Sequence, residues 1–174
     1  MLTSKRLLTV VIALAAALVT PGLAVAQDVS AQAGPATVIR SFAALTQKCI
    51  GLANNGSTAN GTRLVLWDCH FHNDQYWYTG DGTTLRSYAS GYPNGKCVGL
   101  ANNGSTANGT ELVLWDCHFH NDQNWRLSPL SDGTFALYNA PSGKCAGLAN
   151  SGSTVNGTKL VLWDCHLHPD QRWY

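Results

Sequence analysis

The chain has 174 residues, with 11 lysines and arginines against 10 aspartates and glutamates, so its net charge is close to zero. The lack of a basic excess argues against nucleic acid as the main partner, because few charges are available to neutralise phosphates. Charged residues are only 12% of the sequence while glycine occurs 17 times, a composition typical of a compact, turn-rich extracellular fold.

The beginning of the chain predicts a secretory signal peptide, residues 1–26. Lys5 and Arg6 precede an apolar run over residues 7–19, and the small residues Ala-Val-Ala supply a cleavage site after position 26. An uncleaved membrane anchor is the alternative, but Pro21 interrupts the run before the roughly 20 apolar residues that a spanning helix needs. We therefore expect a secreted, extracellular protein without membrane insertion.

A 48-residue repeat organises the rest of the chain. The stretch LVLWDCHFHNDQYW begins at Leu64, and it returns as LVLWDCHFHNDQNW from Leu112 and as LVLWDCHLHPDQRW from Leu160. Each unit is too small to bury its own apolar face, so the repeat predicts three units that share one core.

The six cysteines predict disulfides, because the extracellular space does not keep thiols reduced. Each repeat holds one pair whose members are 20 residues apart, so the same local closure can occur three times. The predicted bridges are Cys49–Cys69, Cys97–Cys117 and Cys145–Cys165. A zinc site is the competing interpretation, but it would need a short Cys-x-x-Cys spacing that the sequence does not contain.

Alternation within the repeat predicts short β-strands with an accessible tryptophan. Arg63 is replaced by Glu111 and Lys159 in the other copies, so this position is expected to face solvent. Val65 and Trp67 then face outward as well, while the leucines between them point into the core. Asn-Gly pairs mark tight turns, and no segment after residue 40 has a sustained helical period. The chain is therefore predicted to be all-β.

The order of motifs in each repeat is similar to that of a known family. A cysteine is followed by about a dozen Gly, Asn, Ser and Thr residues, a strand ending Leu-Trp-Asp-Cys, and then Gln-x-Trp. Three such units in register over residues 36–174 resemble the ricin B-type lectin domain, also called the family 13 carbohydrate-binding module. The resemblance implies a β-trefoil with pseudo-threefold symmetry and one sugar site per lobe. Its three lobes of four short strands would cover about 36–77, 78–125 and 126–174, after an N-terminal linker, 27–35.

The resemblance also implies which residues fold the lobes and which bind sugar. The Gln-x-Trp residues are chiefly architectural in the family, here Gln75 and Trp77, Gln123 and Trp125, and Gln171 and Trp173. The tryptophan of Leu-Trp-Asp-Cys matches the family's aromatic plate, which stacks on the apolar face of a sugar ring. The predicted carbohydrate-binding residues are Trp67, Asp74 and His70, then Trp115, Asp122 and His118, and finally Trp163, Asp170 and His166. His72 and Asn54 are further candidates.

Three positions in every lobe depart from the family's pattern. Glycine replaces the aspartate of a Cys-x-Asp turn that clamps sugar hydroxyls, valine replaces the glutamine before Leu-Trp, and aspartate replaces the asparagine before Gln-x-Trp. These positions are Gly51, Gly99 and Gly147, then Val65, Val113 and Val161, and then Asp74, Asp122 and Asp170. Either the sites have been lost or a shifted set of groups reads a different sugar; we favour a working site.

All six histidines stand in His-x-His pairs, at 70 and 72, 118 and 120, and 166 and 168. In an extended segment this spacing places both rings on one side. There they can cap a loop, hydrogen-bond sugar hydroxyls, or hold Zn²⁺ together with a nearby aspartate. The sequence leaves these three roles open.

The predicted function is that of a secreted, monomeric and non-catalytic carbohydrate-binding protein with up to three equivalent sites and no cofactor. Catalysis fits poorly, because the sequence has no Gly-x-Ser-x-Gly elbow and no phosphate-binding glycine loop. We expect the module to be the whole mature protein. The alternatives are a trefoil interaction or structural protein that has lost sugar binding, and a metal-binding protein that uses the His-x-His pairs.

Overall fold

The computed structural model describes residues 34–174, which form a β-trefoil of short antiparallel strands. The strands are β1 Thr37–Val38, β2 Lys48–Leu52, β3 Thr62–Asp68, β4 Tyr76–Gly80, β5 Thr84–Ser87, β6 Cys97–Leu100, β7 Leu112–Trp115, β8 Trp125–Pro129, β9 Phe135–Asn139, β10 Lys144–Leu148 and β11 Leu160–Asp164. We call β1–β4 lobe 1, β5–β8 lobe 2 and β9–β11 lobe 3. The predicted signal peptide and residues 27–33 of the predicted linker lie outside the described residues.

Helical structure within residues 34–174 is limited to single turns. Three four-residue turns follow the first hairpin strand of each lobe, α1 Ala53–Gly56, α2 Ala101–Gly104 and α3 Ala149–Gly152. Four 3₁₀ turns cover Asn73–Gln75, Tyr88–Ser90, Asn121–Gln123 and Pro169–Gln171. None of these helices is long and apolar enough to cross a membrane.

The same central hairpin occurs in each lobe and carries the repeat's strand. In lobe 1, β2 pairs with β3 so that Cys49 lies opposite Trp67 and Gly51 opposite Val65. The hairpins β6–β7 and β10–β11 keep this register. Because three equal registers follow from three nearly equal sequences, the lobes present the same side chains at equivalent places.

The barrel is closed by the end of the chain. In place of a fourth strand in lobe 3, Trp173 forms isolated bridges to Ser41 and Phe135. Arg40 and Tyr174 exchange backbone hydrogen bonds of 3.1 and 2.9 Å. The two terminal segments therefore pair with each other and close the barrel.

The core is built from the inward-facing residues of all three lobes. The leucines on either side of Val65, Leu64 and Leu66, are fully buried, and so is Trp77. The indole Nε1 of Trp77 donates a 2.9 Å hydrogen bond to the carbonyl of Ile50, which satisfies its polar atom inside the core. The equivalent indoles of Trp125 and Trp173 donate to Val98 and Ala146.

All three predicted disulfides are present, and the described residues contain no free cysteine. Each bridge ties the start of one hairpin to the loop that follows it. A closed loop of this length stabilises a fold by about 3 kcal/mol in the chain-entropy model.

The lobes are joined at the surface by a polar cluster that we call the inter-lobe clasp. Asn156 of lobe 3 donates from Nδ2 to Asp68 Oδ2 (2.7 Å) and accepts at Oδ1 from Lys48 Nζ (2.6 Å) in lobe 1. Lys48 also donates to Asp68 at 2.7 Å. The other two clasps consist of Asn60, Lys96 and Asp116, and of Asn108, Lys144 and Asp164. The asparagine of one Asn-Gly turn in each lobe thus has a structural partner in the next lobe.

The clasps are expected to make stability sensitive to acid. Hydrogen bonds from Lys48 and then Asn156 hold the pKa of Asp68 below its ordinary value, and Asn60 and then Lys96 lower the pKa of Asp116. A carboxyl whose pKa is lowered by folding stabilises the native state above its unfolded pKa, near 4, and loses this contribution as the pH falls through its folded pKa. The melting temperature should therefore be level above about pH 5 and fall below about pH 4.

A triple variant tests this prediction by replacing the aspartate of each clasp with asparagine, as Asp68→Asn, Asp116→Asn and Asp164→Asn. Its melting temperature should be lower than that of the wild type at neutral pH and should fall less steeply between about pH 4 and about pH 2. An equally steep fall in the variant would show that the clasps do not contribute.

Candidate functional site

Each lobe has a surface pocket over its central hairpin. The lobe-1 pocket is lined by Gly51 and Val65 of the hairpin, by Trp67, by the α1 turn, and by Asp74. The lobe-2 pocket contains the equivalents Gly99, Val113, Trp115 and Asp122, and the lobe-3 pocket contains Gly147, Val161, Trp163 and Asp170. Their volumes are about 550, 540 and 510 Å³ in lobes 1 to 3, within the range of small-molecule sites.

One tryptophan forms an exposed plate at the side of each pocket. Trp67, Trp115 and Trp163 are each 44% exposed, which confirms the accessibility that the strand alternation predicted. Val65 lies on the same strand face but is only 7% exposed. Val65 therefore faces away from the core, as predicted, but it is shielded from solvent because this face forms the inside of a pocket. Each valine forms an apolar part of the pocket lining.

Each plate reaches across a lobe boundary. A side-chain carbon built on Gly157 of lobe 3 would lie 3.8 Å from Cζ3 of Trp67 in lobe 1. Gly61 approaches Trp115 and Gly109 approaches Trp163 at 3.7 Å in the same way. A complete pocket therefore needs residues from two neighbouring lobes.

The variable position of the repeat lies where the three lobes meet. Strands β3, β7 and β11 pair in a ring, with Arg63 opposite Val113 and bridges that join Glu111 to Val161 and Lys159 to Val65. We call Arg63, Glu111 and Lys159 the axial triad. Arg63 and Lys159 are exposed, as the exchange of residues at this position predicted, and Glu111 is partly buried. The Glu111 carboxylate accepts hydrogen bonds from both Arg63 and Lys159, so the three side chains depend on one another.

The axial triad holds one anion, Glu111, and two cations, Arg63 and Lys159. Burial alone would raise the pKa of Glu111, but hydrogen bonds from Lys159 and Arg63 outweigh it and keep the pKa below its ordinary value. Three like charges here would repel, whereas one carboxylate between two cations is attracted to both. Electrostatic pairing explains why this position differs in an otherwise repeated sequence.

Asp74 lies beside the place where the resemblance implied an aspartate. A side-chain carbon built on Gly51 would be 3.4 Å from Oδ2 of Asp74, and the equivalent distances are 3.0 Å for Asp122 and 3.3 Å for Asp170. Gly56, with φ of +76°, would place such a carbon only 2.9 Å from Cβ of Asp74. Glycine at positions 51 and 56 therefore makes room for a carboxylate that comes from the loop after the disulfide.

The histidine pair of each lobe lies next to this carboxylate. His70 Nε2 is 3.7 Å from Asp74 Oδ2, and the distance is 3.8 Å in both other lobes. The rings of His70 and His72 are 4.7 Å apart at their centroids. They are on one side as predicted, but the backbone between them is not extended, because Phe71 has a φ of +58°.

A hydrogen bond to the backbone selects the tautomer of His70. The His72 N–H lies 3.3 Å from Nδ1 of His70, which must accept it. In a neutral imidazole the proton is then on Nε2, so that atom is a hydrogen-bond donor on the side of Asp74. The same contact occurs at His118 and His166.

A buried glutamine holds the loop that carries these groups. Oε1 of Gln75 accepts from the backbone N–H groups of His70 (2.9 Å) and Phe71 (3.1 Å), while Nε2 donates to the carbonyl of Asp68 (3.0 Å). Gln123 and Gln171 make the same bonds. The Gln-x-Trp residues thus lie below the pocket, with the glutamine shaping the loop and the tryptophan in the core.

The sequence of residues 35–173 matches the model of the ricin-type beta-trefoil lectin domain. The chain belongs to this lectin family. No curated protein matches the sequence significantly.

Solved structures show the same lectin fold. A designed threefold-symmetric protein, ThreeFoil, is similar with a TM-score of 0.69 and 25% identity over 79% of this chain and 95% of its own. The Macrolepiota procera ricin B-like lectin, solved with lactose, has a TM-score of 0.62 and 24% identity over 80% and 93% of the two chains. The earthworm R-type lectin C-half, solved with GalNAc, has a TM-score of 0.61 and 17% identity over 80% of this chain and 95% of its own.

Two other similar structures match this chain over only part of their own length. This chain spans 29% of an exo-beta-1,3-galactanase from Clostridium thermocellum and 17% of a mosquitocidal holotoxin. Their TM-scores are 0.68 and 0.66, at identities of 19% and 17%. At such identities the likeness shows the fold alone.

The His-x-His groups of the lectin domain also have the composition of a metal site. Ligand atoms of His70, His72 and Asp74 lie within 4.8 Å of one another, as do those of the lobe-3 equivalents. A metal bound to Nε2 of His70 would require the ring proton on Nδ1, where it would face the His72 N–H that Nδ1 now accepts. A metal bound to Nδ1 would displace the hydrogen bond from the His72 N–H. The geometry therefore favours His70 as a hydrogen-bond donor over His70 as a ligand.

Proposed function

We propose that the protein is a secreted, non-catalytic lectin that binds carbohydrate in the pockets of its three lobes. The observation that carries this proposal is the grouping of an exposed indole, a carboxylate and an imidazole N–H in each pocket. A sugar has apolar C–H faces and a rim of hydroxyl groups, and this set matches both.

Each group has a distinct task in the lobe-1 pocket. Trp67 stacks on the apolar face of the ring. Asp74 accepts hydrogen bonds from hydroxyl groups, and Nε2 of His70 donates to a hydroxyl oxygen. Val65 excludes water from the inner end of the pocket, which strengthens these hydrogen bonds.

The relatives and the rest of the chain support the proposal. Two proteins of the same fold were solved with GalNAc and with lactose, so the trefoil accommodates sugars of this size. The N-terminal pattern and the three disulfides fit export to an oxidising compartment. Three weak sites on one molecule raise the apparent affinity for a polysaccharide or a clustered glycan.

The test is a glycan array and an insoluble-polysaccharide pull-down with the oxidised protein. A triple variant, Trp67→Ala with Trp115→Ala and Trp163→Ala, should remain folded because these side chains lie at the surface. We expect its apparent affinity to fall at least about 100-fold, since every plate and the avidity are lost together.

The matched control for the triple variant is Tyr174→Ala. Tyr174 is 43% exposed, close to the exposure of the plates, but it lines none of the three pockets. Its binding should equal that of the wild type. A correctly oxidised wild type that binds no glycan would instead identify a trefoil interaction protein whose replacements at Gly51 and Val65 record lost sugar sites.

A further inference from the structure

The three pockets have the same shape but differ in charge. Each is lined by two members of the axial triad. The lobe-1 pocket has Arg63 and Lys159, the lobe-2 pocket has Arg63 and Glu111, and the lobe-3 pocket has Glu111 and Lys159. Glu111 is thus a lining residue of two pockets but not of the pocket in lobe 1.

The strand register explains this distribution. One triad member comes from the pocket's own strand, two residues before the valine, as Arg63 does for Val65. The other comes from the neighbouring lobe and lies across from the same valine, as Lys159 does in its bridge to Val65. Because the triad has two cations and one anion, only one of the three pockets receives both cations.

The net charge of each pocket is the sum over its triad members and its aspartate, with the histidines counted as neutral. The lobe-1 pocket has two cations against the one carboxylate of Asp74. The lobe-2 and lobe-3 pockets each have one cation against two carboxylates, one from Glu111 and one from Asp122 or Asp170. The lobe-1 pocket is therefore more positive than either of the others by two charges.

The cations of the lobe-1 pocket keep donors for a ligand. Among the described residues, Arg63 donates only through Nε and Lys159 makes only one Nζ hydrogen bond, and both bonds go to Glu111. Both side chains are about half exposed. The outer nitrogens of the guanidinium and two ammonium protons remain for a second anion, and a guanidinium is suited to a planar or tetrahedral oxyanion.

We propose that the lobe-1 pocket selects an acidic saccharide, a sugar that bears a carboxylate or a sulfate, while the lobe-2 and lobe-3 pockets select neutral sugars. This inference rests on the proposed function. Trp67 stacks on the ring, and the anionic group lies toward Lys159 and Arg63. In the other two pockets the same group would meet Glu111.

The experiment isolates one pocket at a time. Three double variants each keep a single plate: Trp115→Ala with Trp163→Ala, Trp67→Ala with Trp163→Ala, and Trp67→Ala with Trp115→Ala. Each variant is applied to an array of neutral glycans paired with uronate-containing and sulfated counterparts. Binding to carboxylated and to sulfated glycans is thereby measured separately. Binding is measured at about 50 mM and about 500 mM NaCl, because partly exposed ion pairs are screened by salt.

The variant with only the lobe-1 plate should bind acidic glycans about three- to tenfold more tightly than their neutral counterparts at low salt. The preference should shrink at high salt. Adding Lys159→Gln should reduce it, whereas adding Arg126→Gln, which removes an exposed cation outside the three pockets, should not.

Two results would overturn the inference in distinguishable ways. Equal binding of acidic and neutral glycans by the lobe-1 variant, or the same acidic preference in all three variants, would refute the charge selection and leave the lectin function standing. Failure of the wild type and of every single-plate variant to bind any glycan would refute the lectin function and this inference together.

Discussion

Replacing Trp77 by alanine is expected to lower the free energy of unfolding by about 3–5 kcal/mol. The side chain is fully buried, so its loss removes apolar contacts from the shared core and leaves a cavity in it. It also leaves the carbonyl of Ile50 without its hydrogen bond. Chemical denaturation of the oxidised protein measures the change.

Trp67→Ala is the matched control, because the same substitution ten residues earlier removes an exposed plate. We expect it to change stability by less than about 1 kcal/mol while weakening sugar binding. Trp77→Phe, which keeps much of the volume but not the N–H, should fall between the two. Similar losses of stability at positions 67 and 77 would contradict the division into plate and core residues.

Restoring the family's aspartate alone is expected to harm the lobe-1 pocket. Gly51→Asp would place Cβ 3.1 Å from Cγ of Gln75, which is buried and held by three hydrogen bonds, and would bring a second carboxylate to Asp74. We expect a loss of about 1–3 kcal/mol in stability and at least about tenfold weaker binding in the variant that keeps only the lobe-1 plate. Denaturation and titration with its array ligand give the two values.

The second variant needed is Gly51→Asp with Asp74→Asn, which moves the carboxylate from the loop to the hairpin strand. The double variant should be more stable than Gly51→Asp alone, because it removes the like-charge pair. Gly51→Ala adds the carbon without the charge and so separates crowding from repulsion. Strictly additive effects of the two substitutions would show that Asp74 does not occupy the place of the missing aspartate.

The sequence predicted those features that depend on one repeat unit. The spacing of 20 between cysteines predicted the three disulfides, and strict alternation from Arg63 to Trp67 placed the leucines inside and the plate outside. Three copies with the motif order of the ricin-type lectin domain predicted the trefoil. These features follow from spacings and alternations within one repeat, which can be read from the sequence alone.

Features that depend on how the lobes meet were not predictable in this way. The pairing of Arg63 with Glu111, and of Asn156 with Asp68, depends on the register between strands about 50 to 90 residues apart. The place of Asp74 beside Gly51 depends on the path of the loop that Gln75 holds. The sequence shows the departures from the family's pattern at Gly51 and Asp74, but their proximity arises only in the folded chain.

The axial triad distinguishes this protein from an assembly of identical subunits. Three separate copies of one lobe, arranged as a homotrimer, would bring the same side chain to the axis three times, so any charge there would repel itself. Covalent fusion removes this restriction, because each copy can then hold a different residue. Identical subunits cannot place two cations and one anion around one axis, whereas a tandem chain can, and it thereby turns three copies of one cavity into non-identical ones.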